Sequence, residues 1–319
     1  VAGQKHPVLR AQPLISIGLP VANGEAYVQQ ALTSILHQSY PRLEVIVSDN
    51  GSTDGTRDIC EACAAADQRV KYFRQPTNRG AAWNFNFTYH QSNGTFFKWA
   101  AHDDLLQPDF ILNTCAALLL SENVSLAYSS SVVIDANGKE CEPDPDPPLR
   151  LDHADPAVRF HDAVFGHHYC LFVFGLMRSS LLRKTSLMGP YACSDIVLLA
   201  QLALSGRIVK LPTKDFHWRS HPEQSIRKVL HHHGIHAYSE WFVPNLSHRR
   251  YYPHWRLLQE LAWSIVRSSM TPMQKVRCLV YLSFNNYRIG GPRERLEDLI
   301  RAFRYPSIKS QNINSYPKS

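Results

Sequence analysis

Short β-rich runs alternate with stretches of helical period through the first half of the sequence, and that alternation limits the fold more than any other feature. Leu14 to Val21 (LISIGLPV) is an apolar run of strand length, and behind it Tyr27, Val28, Ala31, Leu32, Ile35 and Leu36 fall on one face at helical spacing. Leu43 to Asn50 (LEVIVSDN) is a second such run, closed by the turn-forming GSTDGT and followed by a helix carrying Ile59, Cys60 and Cys63. VKYF, a helix near Ala81 to His90, the strand FFKWA and a helix near Asp109 to Leu120 continue the pattern. Strands separated by crossover helices predict an α/β fold with a mostly parallel sheet, buried on both faces.

Beyond SLAYSSSVVIDANGK, a strand ended by a turn at Asn137-Gly138, the Pro- and Asp-rich stretch ECEPDPDPPLRLDHADP reads as an exposed loop. FVFGLMR and GRIVKLP resume the sheet, with a helix from Ile196 to Leu204 between them. From about His231 the sequence turns helical and basic. The expected organisation is one α/β domain over residues 10–230 and a basic helical extension over 231–319. With 44% hydrophobic and 19% charged residues, the chain has ordinary globular composition, and disorder is not the default reading.

Seven cysteines without framework spacing, among them a lone Cys60-Glu-Ala-Cys63 with no second pair, argue against a disulfide scaffold or structural zinc and for a reducing compartment. No apolar run reaches the length of a membrane span, and Val1 to Gln12 lacks the apolar core of a signal peptide. The start on Val1 reads as a trimmed one, which would remove any upstream signal. The expected location is cytoplasmic.

Four polar clusters stand at expected strand ends: Pro20, Val21 and Asn23; Asp49, Asn50 and Ser52; Asn78 and Gly80; and His102 to Asp104. In open parallel sheets ligands bind beyond the carboxyl ends of the strands, so parallel neighbours would bring all four to one rim. Asp103 and Asp104 pose a problem of their own, because two adjacent carboxylates closing an apolar run repel each other unless something cationic or hydrogen-bonding shares their charge. A carboxylate accepts the imino N–H of a nucleobase, which suits Asp49; Asp103 can accept a ribose hydroxyl, and Asp104 can ligate a divalent cation. A helix N-terminal charge pair is the plainer reading of Asp103-Asp104.

The ordered series PVANGEAYVQQALTSILHQSYPRLEVIVSDNGSTDGT, NRG and HDDLLQPDF resembles the nucleotide-sugar half of family 2 glycosyltransferases, which have the GT-A fold, over roughly Leu14 to Ile226. The resemblance implies inverting transfer of a sugar from a nucleoside diphosphate sugar to an acceptor hydroxyl, with manganese or magnesium, in bacterial glycan or glycoconjugate biosynthesis. Carried over by position, Pro20 and Asn23 line the nucleotide pocket, Asp49 meets the base, and Asp103 and Asp104 are the acidic pair. YACSDIVLLAQLALSGRI is similar to the segment that holds the family's catalytic base, here Asp195, and HWRSHPEQSI to its closing strand, with His221 as second metal ligand. The sequence departs from the pattern at Ser194, where many relatives have an acid, and at Ala101 and His102. It lacks the Gln-x-x-Arg-Trp signature and membrane spans of processive synthases, so single-sugar transfer is expected.

A nucleotidyltransferase would need a Gly-rich triphosphate loop after its first strand, and a dehydrogenase a GxGxxG; neither is present. The remaining alternative is a nucleotide-sugar or glycan-binding pseudoenzyme. The net charge of +7 and the late cluster Arg249, Arg250, Arg256, Lys275, Arg277, Arg293, Arg295, Arg301 and Arg304 fit peripheral contact with an anionic membrane, whereas no nucleic-acid module accompanies them. His231 to His236 (HHHGIH) reads as polar surface, since adjacent helical histidines do not face one site.

Overall fold

The computed structural model describes residues 12–224, 238–244, 252–284 and 292–304. The expected domain boundary at 231, the His231 to His236 run, Arg249 and Arg250 lie outside the described residues.

The alternation produces strands β1 (Ile15–Val21), β2 (Leu43–Asp49), β3 (Val70–Arg74) and β4 (Phe96–Trp99), connected by helices α1 (Val28–Leu36), α2 (Thr56–Ala66) and α3 (Ala81–His90). β1 pairs in parallel with β2 and β4, and β2 with β3. Every residue of β1 and β2 is buried, as a sheet covered on both faces requires. Ile15, Ile17 and Leu19 face one core with Val28, Ala31, Leu32 and Ile35 of α1. On the other face α3 presses against β1 so closely that a Cβ on Gly18 would stand 2.3 Å from the Thr88 hydroxyl oxygen.

The second half of the sheet is mixed rather than parallel. β5 (Leu105–Leu106), β6 (Val124–Ile134), β7 (Glu140–Glu142), β8 (Leu176–Arg178) and β9 (Arg207–Arg219) complete the order β3-β2-β1-β4-β8-β6-β9-β5, with β7 beside β6. β6 and β9 run parallel, while β8 is antiparallel to both β4 and β6, and β5 to β9. The FVFGLMR run is not one strand: Leu171–Phe174 forms a 3₁₀ turn and only Leu176–Arg178 joins the sheet. Helix α4 (Phe110–Leu120) follows β5. At the end of the Pro- and Asp-rich stretch an unanticipated helix, α5 (Pro156–Phe165), begins where the Asp155 side chain accepts the Ala157 N–H and Pro156 takes the first helical position. α6 (Ser179–Leu182) and α7 (Ser194–Ser205) complete this part.

Three further helices, Pro253–Arg267, Pro272–Phe284 and Pro292–Arg304, follow. Leu257, Leu261, Ile265, Cys278 and Leu282 join the same buried cluster as Val197, Leu198 and Leu199 of α7 and Phe160 of α5. Among the described residues no helix is long and apolar enough to cross a membrane. All seven cysteines are unpaired, with Cys60 and Cys63 on α2 as expected.

Because Leu261 is fully buried against that shared cluster, Leu261→Ala is expected to cost about 2–5 kcal/mol. Thermal unfolding followed at several wavelengths should remain a single transition. A separate, earlier loss of the last helices with the rest unchanged would show them to be an independent unit.

Candidate active site

β1, β2 and β3 end side by side, with Val21 in register with Asp49 and Asp49 with Arg74, so their terminal loops share one edge of the sheet. A cleft of about 240 Å³ opens at this edge. Its wall includes Pro20, Val21, Asn50, Asn78, Asp103, Asp104 and Asp195 from the sequence-derived candidates. Asn23, Asp49, Ser52, Gly80 and His221 are not on that wall.

The reasons are local. Asn23 adopts a left-handed conformation (φ 53°) and turns outward, where its Oδ1 accepts the Thr53 N–H while its own N–H donates to Ser52 Oγ. Asp49 is fully buried; its carboxylate accepts the Ser52 N–H and the Tyr72 hydroxyl, each at 2.8 Å, and pairs with Arg74 at 3.4 Å. The carboxylate expected to meet a base therefore holds the GSTDGT turn in place from behind. Asn50, next in sequence, reaches the cleft. Its amide donates to Asn78 Oδ1 and to the Gly80 carbonyl, and its Oδ1 accepts the Arg79 N–H. Gly80 has φ 88° and leaves no room for a side chain, since a Cβ would stand 2.4 Å from the Phe242 carbonyl oxygen. Asn84, which the sequence reading did not single out, lines the cleft and binds Ser48 at both its hydroxyl and its carbonyl, tying α3 to the end of β2.

The acidic pair is answered by β9. Arg219, wholly buried, donates its backbone N–H to Asp104 Oδ1 at 2.9 Å and its Nε–H to the Asp103 carbonyl at 2.7 Å. Its remaining guanidinium donors reach the Asp135 and Ala136 carbonyls and Gln30 Oε1, and its plane lies 4.6 Å from the centre of the Tyr27 ring. His221 Nε2 donates to Asp103 Oδ2 at 2.9 Å, so the expected partner of Asp104 is bonded to Asp103 instead. Burial opposes ionisation of Asp103, but the hydrogen bond from His221 and the nearby imidazoles of His102 and His221 outweigh it and hold its pKa below the ordinary value. Burial, and after it the charge of Asp103, pushes Asp104 well above the usual carboxylate range. Beneath the pair, fully buried Lys98 donates to the Trp99 carbonyl, and burial brings its pKa down to about 7.

These positions bear on a cation. A divalent ion would relieve like charge crowded onto Asp103 and Asp104, and Asp104 faces the cleft with only its Oδ1 hydrogen-bonded among the described residues. No group of three or more His, Cys, Asp or Glu among the described residues could hold a metal. The described residues therefore form no closed cage, and Asp104 could hold an ion only with further oxygens supplied by a ligand.

Across the cleft Asp195 sits in the first turn of α7, after Cys193 in a left-handed conformation (φ 61°). Tyr238 stands nearby; burial first, and the charge of Asp195 second, raise its phenol well above the ordinary value and keep it a donor. Tyr169, Trp218 and Trp241 add an aromatic side to the wall that the sequence reading missed.

The chain is similar to an uncharacterized glycosyltransferase of Haemophilus influenzae, 34% identical over 128 residues that make up 40% of this chain and 51% of the relative. It is also similar to the putative teichuronic acid biosynthesis glycosyltransferase TuaG of Bacillus subtilis, 27% identical over 48% of this chain and 58% of that protein. The chain thus spans about half the length of these curated relatives. Among solved structures, S. aureus TarS 1–349 in complex with UDP-GlcNAc matches with TM-score 0.62 at 19% identity over 91% of this chain and 79% of that one. The mannosyltransferase PcManGT of Pyrobaculum calidifontis, in complex with GDP-Man and Mn2+, matches with TM-score 0.52 at 18% identity over 94% of this chain and 77% of that one. The fold is that of these GT-A enzymes. The model of the Glycosyl transferase family 2 matches residues 16–184, more than half of the chain, and the protein belongs to that family.

Proposed function

We propose that this chain transfers a sugar from a nucleoside diphosphate sugar to an acceptor hydroxyl with inversion, in bacterial glycan or glycoconjugate assembly. One observation carries the reading: a single cleft has the strand-end residues Pro20, Val21, Asn50 and Asn78, the acidic pair, and Asp195 on its wall. The UDP-GlcNAc and GDP-Man bound by the structural neighbours support a nucleotide-sugar donor, and the similarity to TuaG supports glycan synthesis.

In this reading the nucleotide lies along the ends of β1 and β2, with Asp49 and Ser52 fixing the turn that presents Asn50, and Asn23 and Gly80 shaping the flanking loops. Asp103 takes a ribose hydroxyl. Asp104, with His221 released from Asp103, would hold a manganese or magnesium ion, whose chemistry is to offset charge on the leaving diphosphate. Asp195 accepts the proton of the acceptor hydroxyl as that oxygen bonds to the anomeric carbon and the diphosphate departs with the electron pair. The amino end of α7 favours negative charge at that position.

Two substitutions separate these roles. Asp195→Asn keeps the size but cannot act as a base, so turnover should fall by roughly 10²-fold or more while UDP or GDP affinity, measured by titration calorimetry, stays within a few-fold. Near-normal turnover would move the base elsewhere. EDTA should abolish turnover and Asp104→Asn should remove the metal dependence of nucleotide binding; full activity in chelator would defeat the metal assignment.

We also propose that the last helices touch an anionic membrane surface. Met273, Val276, Val280 and Phe284 are exposed at helical spacing on one helix, and the region is rich in Arg and Lys. Sedimentation with phosphatidylglycerol vesicles should show binding that weakens with salt, and an unbound protein at low salt would contradict it.

A further inference from the structure

Between Gln12 and Gln224, Leu120 and Tyr169 are the only large hydrophobic side chains left exposed, and Tyr169 borders the cleft at 54% exposure. Its ring is paired with that of Trp218, also on the cleft wall, with centroids 5.4 Å apart and planes inclined by 40°. A lone exposed aromatic needs no explanation, but a pair beside a cleft does.

The backbone around Tyr169 is pinned. Its N–H donates at 2.7 Å to Oδ1 of buried Asp146. On one side, buried His168 bonds the Ala163 carbonyl through Nε2 and accepts the Cys170 N–H through Nδ1. On the other side, Cys170 is held in the left-handed region (φ 62°), a conformation that costs a non-glycine residue of order 1 kcal/mol and persists only where the surroundings impose it.

Topology decides which ligand the rings face. Asn50 and Asn78 follow β2 and β3 at one end of the strand order, whereas Trp218 lies on β9, next to last at the other end and paired with β5, which follows the acidic pair. Trp218 directly precedes Arg219, whose N–H holds Asp104. The pair therefore stands beside the carboxylates, at the end of the strand order away from the nucleotide rim.

We infer that Tyr169 and Trp218 form the acceptor platform, and that the acceptor presents a pyranose ring rather than an open-chain polyol. The axial C–H groups of a pyranose make one face apolar and weakly electropositive, which matches the electron-rich face of an aromatic ring, while the Tyr and Trp polar tips remain available to ring hydroxyls. An open-chain polyol offers no such flat face. The inference rests on the glycosyltransferase reading for its meaning, but its test does not require turnover.

Saturation-transfer NMR with methyl β-D-glucopyranoside, methyl β-D-galactopyranoside and methyl N-acetyl-β-D-glucosaminide, set against sorbitol, should give transfer to the axial protons of at least one pyranoside and little to sorbitol. In Tyr169→Ala or Tyr169→Leu the signal should fall by roughly tenfold in affinity, about 1.4 kcal/mol, and in Tyr169→Phe it should persist. Either folded truncation decides the matter, and the Leu variant keeps the apolar bulk without the ring. No transfer to any pyranoside in the wild-type protein, or a signal unchanged in the truncations, would overturn the platform. UDP and GDP titrated into the wild-type protein report on the donor side: failure to bind either would defeat the glycosyltransferase reading while leaving the pyranoside result to stand alone.

Discussion

The site depends on the burial of one guanidinium. Arg219 has no exposed surface, and taking a charge out of water at the end of a sheet is tolerable only if its donors are met. They are met by groups from separate parts of the chain: the Asp103 carbonyl after β4, the Asp135 and Ala136 carbonyls after β6, and Gln30 on α1. The same residue's backbone N–H holds Asp104. These hydrogen bonds fix where the two adjacent, almost fully buried acids stand relative to the strand ends, while the guanidinium charge only partly offsets the burial that holds Asp104 well above the usual carboxylate range.

From that fixed point the cleft divides by strand order. The polar loops of β1, β2 and α3 lie to one side, already bonded to one another through Asn50, Asn78, Asn84 and the buried Asp49. Groups tied in this way need not reorganise when a ligand arrives, which favours tight placement of the ligand over adaptability. Trp218, on β9, lies toward the other, and Asp195, Tyr169 and Trp241 complete the wall from segments far apart in sequence.

The basic tail behaves differently from its charge count. Arg256 pairs with Glu260, Arg293 with Glu297, and Arg277 with Asp155, so several of the cations that give the region its positive character are partly neutralised by neighbours. Arg267 lies 5.3 Å from the centre of the Trp263 ring. The side of these helices that carries Leu257, Leu261 and Ile265 is not surface at all but part of the cluster under α7.

Period and punctuation alone determined β1 to β4, their helices and the location of the polar loops, because buried parallel strands and amphipathic helices write their environment into local spacing. α5 was within reach of the same reasoning, since Asp155-Pro156 is a cap followed by a first-turn proline, but the surrounding Pro and Asp obscured it. β5 and β8, two and three residues long, carry no period to read, and their antiparallel partners are set by contacts across the sheet. Position at the strand ends placed Asp49, Asp103 and Asp104 on one rim, and the family resemblance added His221. Only the tertiary structure decided that Asp49 turns to Tyr72 and Arg74, that His221 bonds Asp103, and that the Arg219 backbone N–H holds Asp104. A side chain's direction at a strand end is chosen by whichever distant partner satisfies its charge most cheaply, and the sequence does not record the distance to that partner.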